Sequence, residues 1–234
     1  MRILLWDIDG TLIRSVKTGG YKEYTIPVLE EIFGTSGKLA EMRVSGMTDL
    51  QIVYEALSDA GISRDEILAR ADVLVSRLTE EARRVTGNGV KFFEVLPGVR
   101  ETLAALALHP RYESALVTGN IKPMAHLKME LVGLEEFFTL PGAFGEESHN
   151  RRDLPARAAD RIRNHLQMDL APEQFIVIGD TPNDIDCAHH FGARAVAVGT
   201  GRFYSTEEIL SHKPDKFLPD LSDINLVLRT LVEL

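Results

Sequence analysis

Four short apolar runs rich in β-branched residues punctuate the chain, at Ile3 to Ile8, Ser114 to Thr118, Phe175 to Gly179 and Ala193 to Gly199. Runs of this length and composition read as buried parallel strands. Between and after them apolar residues recur at helical spacing: Val99, Leu103 and Leu106, then Met124, Leu127 and Leu131, then Ala158, Ile162 and Leu166, and a last stretch from Leu221 to Leu234. Strands alternating with helices predict an α/β fold, a doubly wound, mainly parallel sheet. Residues 137–140 (FFTL) are expected to add a further strand.

One region breaks the alternation. From Val16 to Val90 the patterns are helical and no strand stands out, so the chain divides into an α/β core of residues 1–15 plus 91–234 and an inserted all-helical cap of residues 16–90. Thr48 with Gln51, and Ser63 with Glu66, are capping-box signatures that open helices with apolar faces at Val53, Ala56, Leu57, Ala60 and at Ile67, Ala71, Leu74, Leu78. Gly61 is placed to stop the first of these. An earlier helix, around Tyr21 to Phe33, has Pro27 inside its pattern, which predicts a kink or a late start.

Composition narrows the function classes. The 234 residues include 26 Lys+Arg against 35 Asp+Glu, a net charge of −9, and are 44% apolar, as in ordinary globular proteins. The insertion holds 9 Lys+Arg and 12 Asp+Glu, so neither unit has the basic balance that nucleic-acid binding by phosphate attraction requires. No run nears the roughly 18 apolar residues of a membrane span. The opening apolar run stops at Asp7, too early for a signal-peptide core. A single cysteine, Cys187, leaves no intrachain disulfide and suits a reducing compartment. The expectation is a cytoplasmic protein that binds neither nucleic acid nor membrane.

Candidate chemistry sits where strands run out. Asp7 and Asp9, in the sequence Asp7-Ile8-Asp9-Gly10-Thr11, are two residues apart and so project together past the carboxyl end of the first strand. Open α/β sheets bind ligands there. An Asp-Gly hairpin turn is one alternative. A calcium loop of the EF-hand kind is another, although its twelfth position, Thr18, is not the Glu that pattern requires. Asp180 and Asp184, in Gly179-Asp180-Thr181-Pro182-Asn183-Asp184, follow the third strand, where a capped strand-to-helix turn is the bland reading. Four carboxylates at one sheet edge repel by about 4 kcal/mol per pair at ~4 Å and an effective dielectric of about 20. A dication removes that cost, and all-oxygen ligands suit magnesium better than zinc. Thr118-Gly119-Asn120, after another strand, offers a hydroxyl and N–H groups to an anion, or simply a helix cap.

These pieces, in this order, resemble the haloacid dehalogenase superfamily. Its phosphatases carry a DxDGT first motif, a Thr or Ser second motif, a basic third motif and an acidic GDxxxD fourth motif. The helical insert looks like the cap of the phosphoglycolate phosphatase and β-phosphoglucomutase branch, and Leu96-Pro97-Gly98-Val99 resembles that branch's return to the core. The resemblance implies that Asp7 is a nucleophile forming an aspartyl-phosphate and that Asp9 is the acid/base. It implies that Asp7, the backbone carbonyl of Asp9, Asp180 and Asp184 hold Mg2+. Gly10, Thr11, Thr118, Gly119 and Asn120 would border the phosphoryl group, with Thr118 gripping its oxygens.

The third motif departs from the commonest pattern, because no Lys-Pro segment lies between Phe144 and Leu154. Arg151, 33 residues after Thr118, matches the cation's spacing and can bind phosphoryl oxygens bidentately. Arg152, Lys122 and Lys128 are rivals. Lys17, Arg43 and Thr48 are candidate cap contacts to substrate, whereas His189, His190, His126 and His149 lack zinc-site company and read as surface or packing residues. Glu146 and Glu147 read as a solvated acidic loop. The implied activity is a magnesium-dependent phosphatase acting on a small phosphorylated metabolite. A phosphosugar mutase and a non-catalytic binding protein on the same fold are the alternatives.

Overall fold

The computed structural model describes residues 1–17, 20–87 and 91–234. Thr18 and Val90, the expected end of the insertion, lie outside them.

The chain opens with β1 (Arg2–Trp6) and a short β2 (Ile13–Ser15), then runs through α1 (Gly20–Phe33), α2 (Asp49–Leu57), α3 (Arg64–Leu68) and α4 (Ala71–Thr86). It returns through β3 (Phe93–Val95), α5 (Val99–Ala107), β4 (Tyr112–Leu116), α6 (Lys122–Val132), α7 (Leu154–Leu166), β5 (Phe175–Gly179) and α8 (Pro182–Phe191). It finishes with β6 (Arg194–Val198), α9 (Thr206–Ser211), β7 (Lys216–Leu218) and α10 (Ile224–Val232). Five strands form one sheet in the order β4-β1-β5-β6-β7, every neighbouring pair parallel.

Alternation along β1 divides the core into two layers. Leu4 and Trp6 face Leu103 of α5, Met129 of α6 and Leu231 of α10, while Ile3 and Leu5 face Ala158 and Ile162 of α7 and Ile185 of α8. A third apolar cluster, with Val53, Leu57, Ile67, Leu74 and Leu78, fills the helical segment and takes in Ile121, Met124 and Leu127. Helix α6 is therefore shared, since it also gives Ala125 and Met129 to the sheet.

Local chemistry sets the boundaries. Ser63 and Glu66 make a full capping box at α3. Thr48 caps α2 by accepting from the Gln51 N–H, but the Gln51 side chain donates to Glu55 instead of reaching back. Gly61 and Gly34 end their segments in the left-handed region, at φ 76 and 75. Helix α1 runs from Gly20 straight through Pro27. Its burial of Tyr24, Val28 and Leu29 offsets the hydrogen bond that proline cannot make.

Two elements differ from expectation. Residues 137–140 form no strand: Gly133 ends α6 in the left-handed region, and Glu135–Phe137 close a 3-10 turn anchored by the fully buried Leu134. The β2–β3 antiparallel ribbon and β7 are unforeseen, because three residues carry no readable period.

Candidate active site

The crevice lies at the carboxyl ends of β4, β1 and β5, on both sides of the first strand. Asp7 leaves β1 with its N–H still bonded to Ile178 O (3.0 Å). Asp180 leaves β5, and Asp184 comes from the first turn of α8. These three carboxylates, all buried, each place an oxygen within 4.8 Å of the others.

Each is held by its surroundings. Asp180 is wedged between two glycines, since a Cβ at Gly10 or Gly201 would fall 2.4 or 2.1 Å from its Oδ2. Asp184 Oδ2 accepts from the N–H and hydroxyl of Thr181 (3.0 and 2.7 Å), and Gly179 leaves room for it. Arg151, 6% exposed, donates from Nη2 to both Asp7 Oδ1 (2.8 Å) and Asp184 Oδ1. Its Nε is buried without a partner.

Burial pushes the Asp7 carboxyl up to about 6, against the pull of Arg151 and with help from Asp184 and Asp9. Asp180 is raised well above the usual carboxylate range, first by burial, then by the charges of Asp7 and Asp184. Burial opposes the Arg151 charge, but Asp184 and Asp7 keep the guanidinium firmly protonated. Three buried acids against one buried cation form a site short of positive charge, and its donors are all hard oxygens. That set fits a dication of the magnesium kind.

Asp9 points elsewhere. Its Oδ2 accepts from Lys128 Nζ (2.6 Å) and Asn120 Nδ2 (2.7 Å), and Asn120 Oδ1 accepts from the same ammonium (2.6 Å). Asn120 Nδ2 also donates to Thr118 Oγ1 (2.8 Å). Lys128 is 3% exposed, whereas the Asp9 side chain is 44% exposed and open to the crevice.

The crevice is a cavity of about 480 Å3 between the sheet edge and the helical segment, bordered on the sheet side by Asp7, Asp9, Gly10, Thr118, Gly119 and Asn120. Residues 42–47 and Asp49 close the opposite side. That side is hydrogen-bonded across the crevice at several points. The Asp49 N–H donates to Gly119 O (2.7 Å), Asp49 Oδ2 accepts from the Ile121 N–H (2.8 Å), and Asn183 Nδ2 donates to Gly46 O (2.7 Å). Arg43 lies 4.0 Å over the ring of Tyr204. Burial raises the Asp49 carboxyl to about 6 despite the Ile121 N–H and the nearby Lys128.

Most of the sequence-predicted residues gather here, with exceptions. Thr11 is fully buried and gives its hydroxyl to Asp180 Oδ1 (3.2 Å), so it supports a carboxylate rather than bordering substrate. Thr48 is likewise fully buried as a helix cap, while Lys17 and Arg43 do line the cavity. Of the rival cations, Arg152 is bound to exposed Asp186 (2.6 Å) and Lys122 points over Phe144. Only Arg151 and Lys128 reach the acids. Glu146 is no free loop acid, since both its oxygens accept from the Lys122 N–H at the start of α6 (3.1 and 3.0 Å). Glu147 is paired with Arg161 (2.7 Å). His189 sits on Asp215 (3.2 Å) at the surface. Asp49 escaped the sequence reading because an acid in the first turn of a helix is ordinary.

Comparison with known proteins fits this geometry. Residues 4–189 match the family model described as haloacid dehalogenase-like hydrolase. The chain belongs to that family. A phosphoglycolate phosphatase of Vibrio cholerae is 23% identical over 236 residues, covering 96% of this chain and 95% of that protein. The pyrophosphatase PpaX of Bacillus anthracis is 26% identical over 121 residues, 50% of this chain, and the chain spans only 52% of that relative's length. A hydrolase from Pseudomonas syringae shares the fold, with a TM-score of 0.69, 21% identity and coverage of 100% and 99%. Among the described residues no helix is long and apolar enough to cross a membrane.

Proposed function

We propose that this hydrolase is a magnesium-dependent phosphatase that cleaves a small phosphate monoester through an aspartyl-phosphate on Asp7. The observation that carries the reading is the pairing of two acids of different character. Asp7 is buried against Arg151 beside two more carboxylates, and Asp9 is open to a cavity of metabolite size.

Asp7, Asp180 and Asp184, with the Asp9 carbonyl, would hold the metal, which when bound supplies positive charge to the nucleophile and the phosphoryl oxygens. The chain's own residues do the rest. Arg151 orients Asp7 through Nη2 and, as a residue lining the cavity, would offer positive charge to the phosphoryl group. Asp7 Oδ attacks phosphorus as the phosphorus–oxygen bond to the alcohol breaks, and Asp9 donates its proton to the departing oxygen. Asp9 then takes a proton from the water that cleaves the aspartyl-phosphate, which restores Asp7 and releases phosphate. Thr118, Gly119 and Asn120 border the transferring group, where catalysis is mostly positioning and charge stabilisation. The docked cap excludes bulk water.

The outer wall carries Lys17, Lys22, Arg43 and Arg202, which favours an ester with a second negative group. 2-Phosphoglycolate and pyrophosphate, suggested by the relatives' names, are the first compounds to try. The lone, buried Cys187 suits a reducing cytoplasm.

The test is phosphate release from p-nitrophenyl phosphate and a panel of small phosphate esters, with magnesium or EDTA, for wild type and Asp7→Asn. Magnesium-dependent release lost in the variant is expected. Full activity in Asp7→Asn, or no release by folded wild type from any compound, would overturn the reading.

A further inference from the structure

The site contains two buried cations, and they serve different acids. Arg151 touches Asp7 and Asp184. Lys128, ten residues along the chain from Thr118, touches neither and binds Asp9 and Asn120. A lysine 3% exposed is rare without a reason, since its charge must be compensated. Its only carboxylate partner within salt-bridge distance among the described residues is Asp9. Phe93 closes the other side, with the ammonium 5.5 Å from the ring centre. Asn120 completes a three-cornered arrangement in which one amide oxygen and one carboxylate oxygen share the ammonium, and the amide nitrogen bonds that same carboxylate oxygen. Asp9 Oδ2 is thus fixed by two donors, which leaves Oδ1 for the reacting group.

We propose that Lys128, with Asn120, is the positioning residue for the acid/base Asp9, separate from the phosphoryl-binding cation Arg151. The assignment rests on the phosphatase reading above. When the phosphorus–oxygen bond to the leaving group breaks, its electron pair stays on the leaving oxygen, which takes the Asp9 proton and departs as the alcohol. Lys128 and Asn120 hold that carboxyl through Oδ2, so Oδ1 is kept in place for the transfer. The benefit of Lys128 therefore scales with how much the leaving group needs a proton. An alkoxide needs it fully, whereas a p-nitrophenolate departs well without it. A cation that gripped phosphoryl oxygens would matter equally for both.

The experiment compares kcat/KM for an alkyl phosphate and for p-nitrophenyl phosphate in wild type, Lys128→Met, Lys128→Arg and Asn120→Ala, with Asp9→Asn as reference. Lys128→Met is expected to lose about 100-fold or more on the alkyl ester, within the range of general acid catalysis, and less than about 5-fold on the aryl ester. Lys128→Arg should recover part of the alkyl activity, and Asn120→Ala should show the same split more weakly. The rise in melting temperature that magnesium gives the wild type should persist in Lys128→Met. Equal loss on both esters, or no loss, overturns the assignment while leaving the phosphatase intact. Wild type inactive on both overturns the function and the assignment together. Should Lys128→Met not fold, the split in Asn120→Ala decides.

Discussion

Asp7→Asn should stabilise the metal-free protein at neutral pH, even though the proposed mechanism requires it to lose turnover. The Asp7 carboxyl stands at about 6 in the folded chain against 3.8 for an ordinary aspartate, with the help of Arg151 already included. A raised carboxyl binds its proton more tightly in the folded than in the unfolded state. Stability therefore falls as pH rises from about 4 to about 6, and the whole penalty is present above that window. Its size is roughly 3 kcal/mol, at about 1.4 kcal/mol per pH unit. Asparagine keeps the shape and an oxygen for Arg151 but has no charge to bury. Relief of Asp180, which the Asp7 charge also disfavours, acts in the same direction.

For a chain of this size each kcal/mol moves the melting temperature by about 2–4 °C, so the variant should melt roughly 6–12 °C higher at pH 7.5 in EDTA. The gap should close as pH falls towards 4. Magnesium should invert the ranking, because a ligand that binds only the folded state stabilises by mass action and the wild type has the fuller ligand set. Scanning calorimetry of both proteins at several pH values, with EDTA or magnesium, reads all three effects. A variant that melts below wild type in EDTA at pH 7.5, or a gap independent of pH, would refute the claim that the acid cluster lacks positive charge.

Arg151→Ala should lower kcat on p-nitrophenyl phosphate by about 100-fold or more, whereas Arg152→Ala, whose partner Asp186 is exposed, should leave kcat unchanged. Gly119→Ala would put a Cβ 2.0 Å from the Met47 carbonyl oxygen, so the cap loop must retreat. Faster hydrogen exchange at residues 44–49 and a raised KM are expected, and unchanged exchange would contradict it. Asp49→Ala leaves the Ile121 N–H without its acceptor. The loss is read at pH about 4, where the Asp49 carboxyl, raised to about 6 by burial, is protonated and carries no charge penalty: a melting point lowered there by the equivalent of about 1–3 kcal/mol is expected, shrinking towards pH 7.5, and an unchanged one at pH 4 would show that the contact contributes nothing.

The sheet was legible because its central strands are apolar without interruption. β5 matches the expected Phe175 to Gly179 in full, and β1, β4 and β6 fall within two residues of their predicted ends. The acids were legible because they stand where those strands stop. What the sequence concealed depends on long-range contact. Nothing local marks Lys128, one of two lysines on α6, as the partner of an acid 119 positions away. Thr11 belongs to a motif that suggests substrate contact, yet its hydroxyl turns towards Asp180 because Gly10, at φ 92, redirects the chain there. The Arg151 and Arg152 pair could be ranked only by spacing until α8 placed Asp184 against one and Asp186 against the other.

The same contacts tie cap position to catalytic geometry. Asp49 holds the Gly119 carbonyl and the Ile121 N–H, the residues on either side of Asn120. Asn120 in turn holds Thr118, Asp9 and Lys128. A cap that lifted would release the backbone on both flanks of the residue that, in the proposed mechanism, orients the acid/base. Opening must also break the Asn183 bond to Gly46. At a net ~1 kcal/mol each, three such bonds favour the docked cap by about 3 kcal/mol before any apolar contact is counted. On the proposed mechanism an open form that admitted substrate would be the minor one, and apparent affinity would fall in proportion to its population. On that mechanism catalytic alignment and water exclusion would arrive together, because the segment that closes the cavity also holds the residues on either side of Asn120.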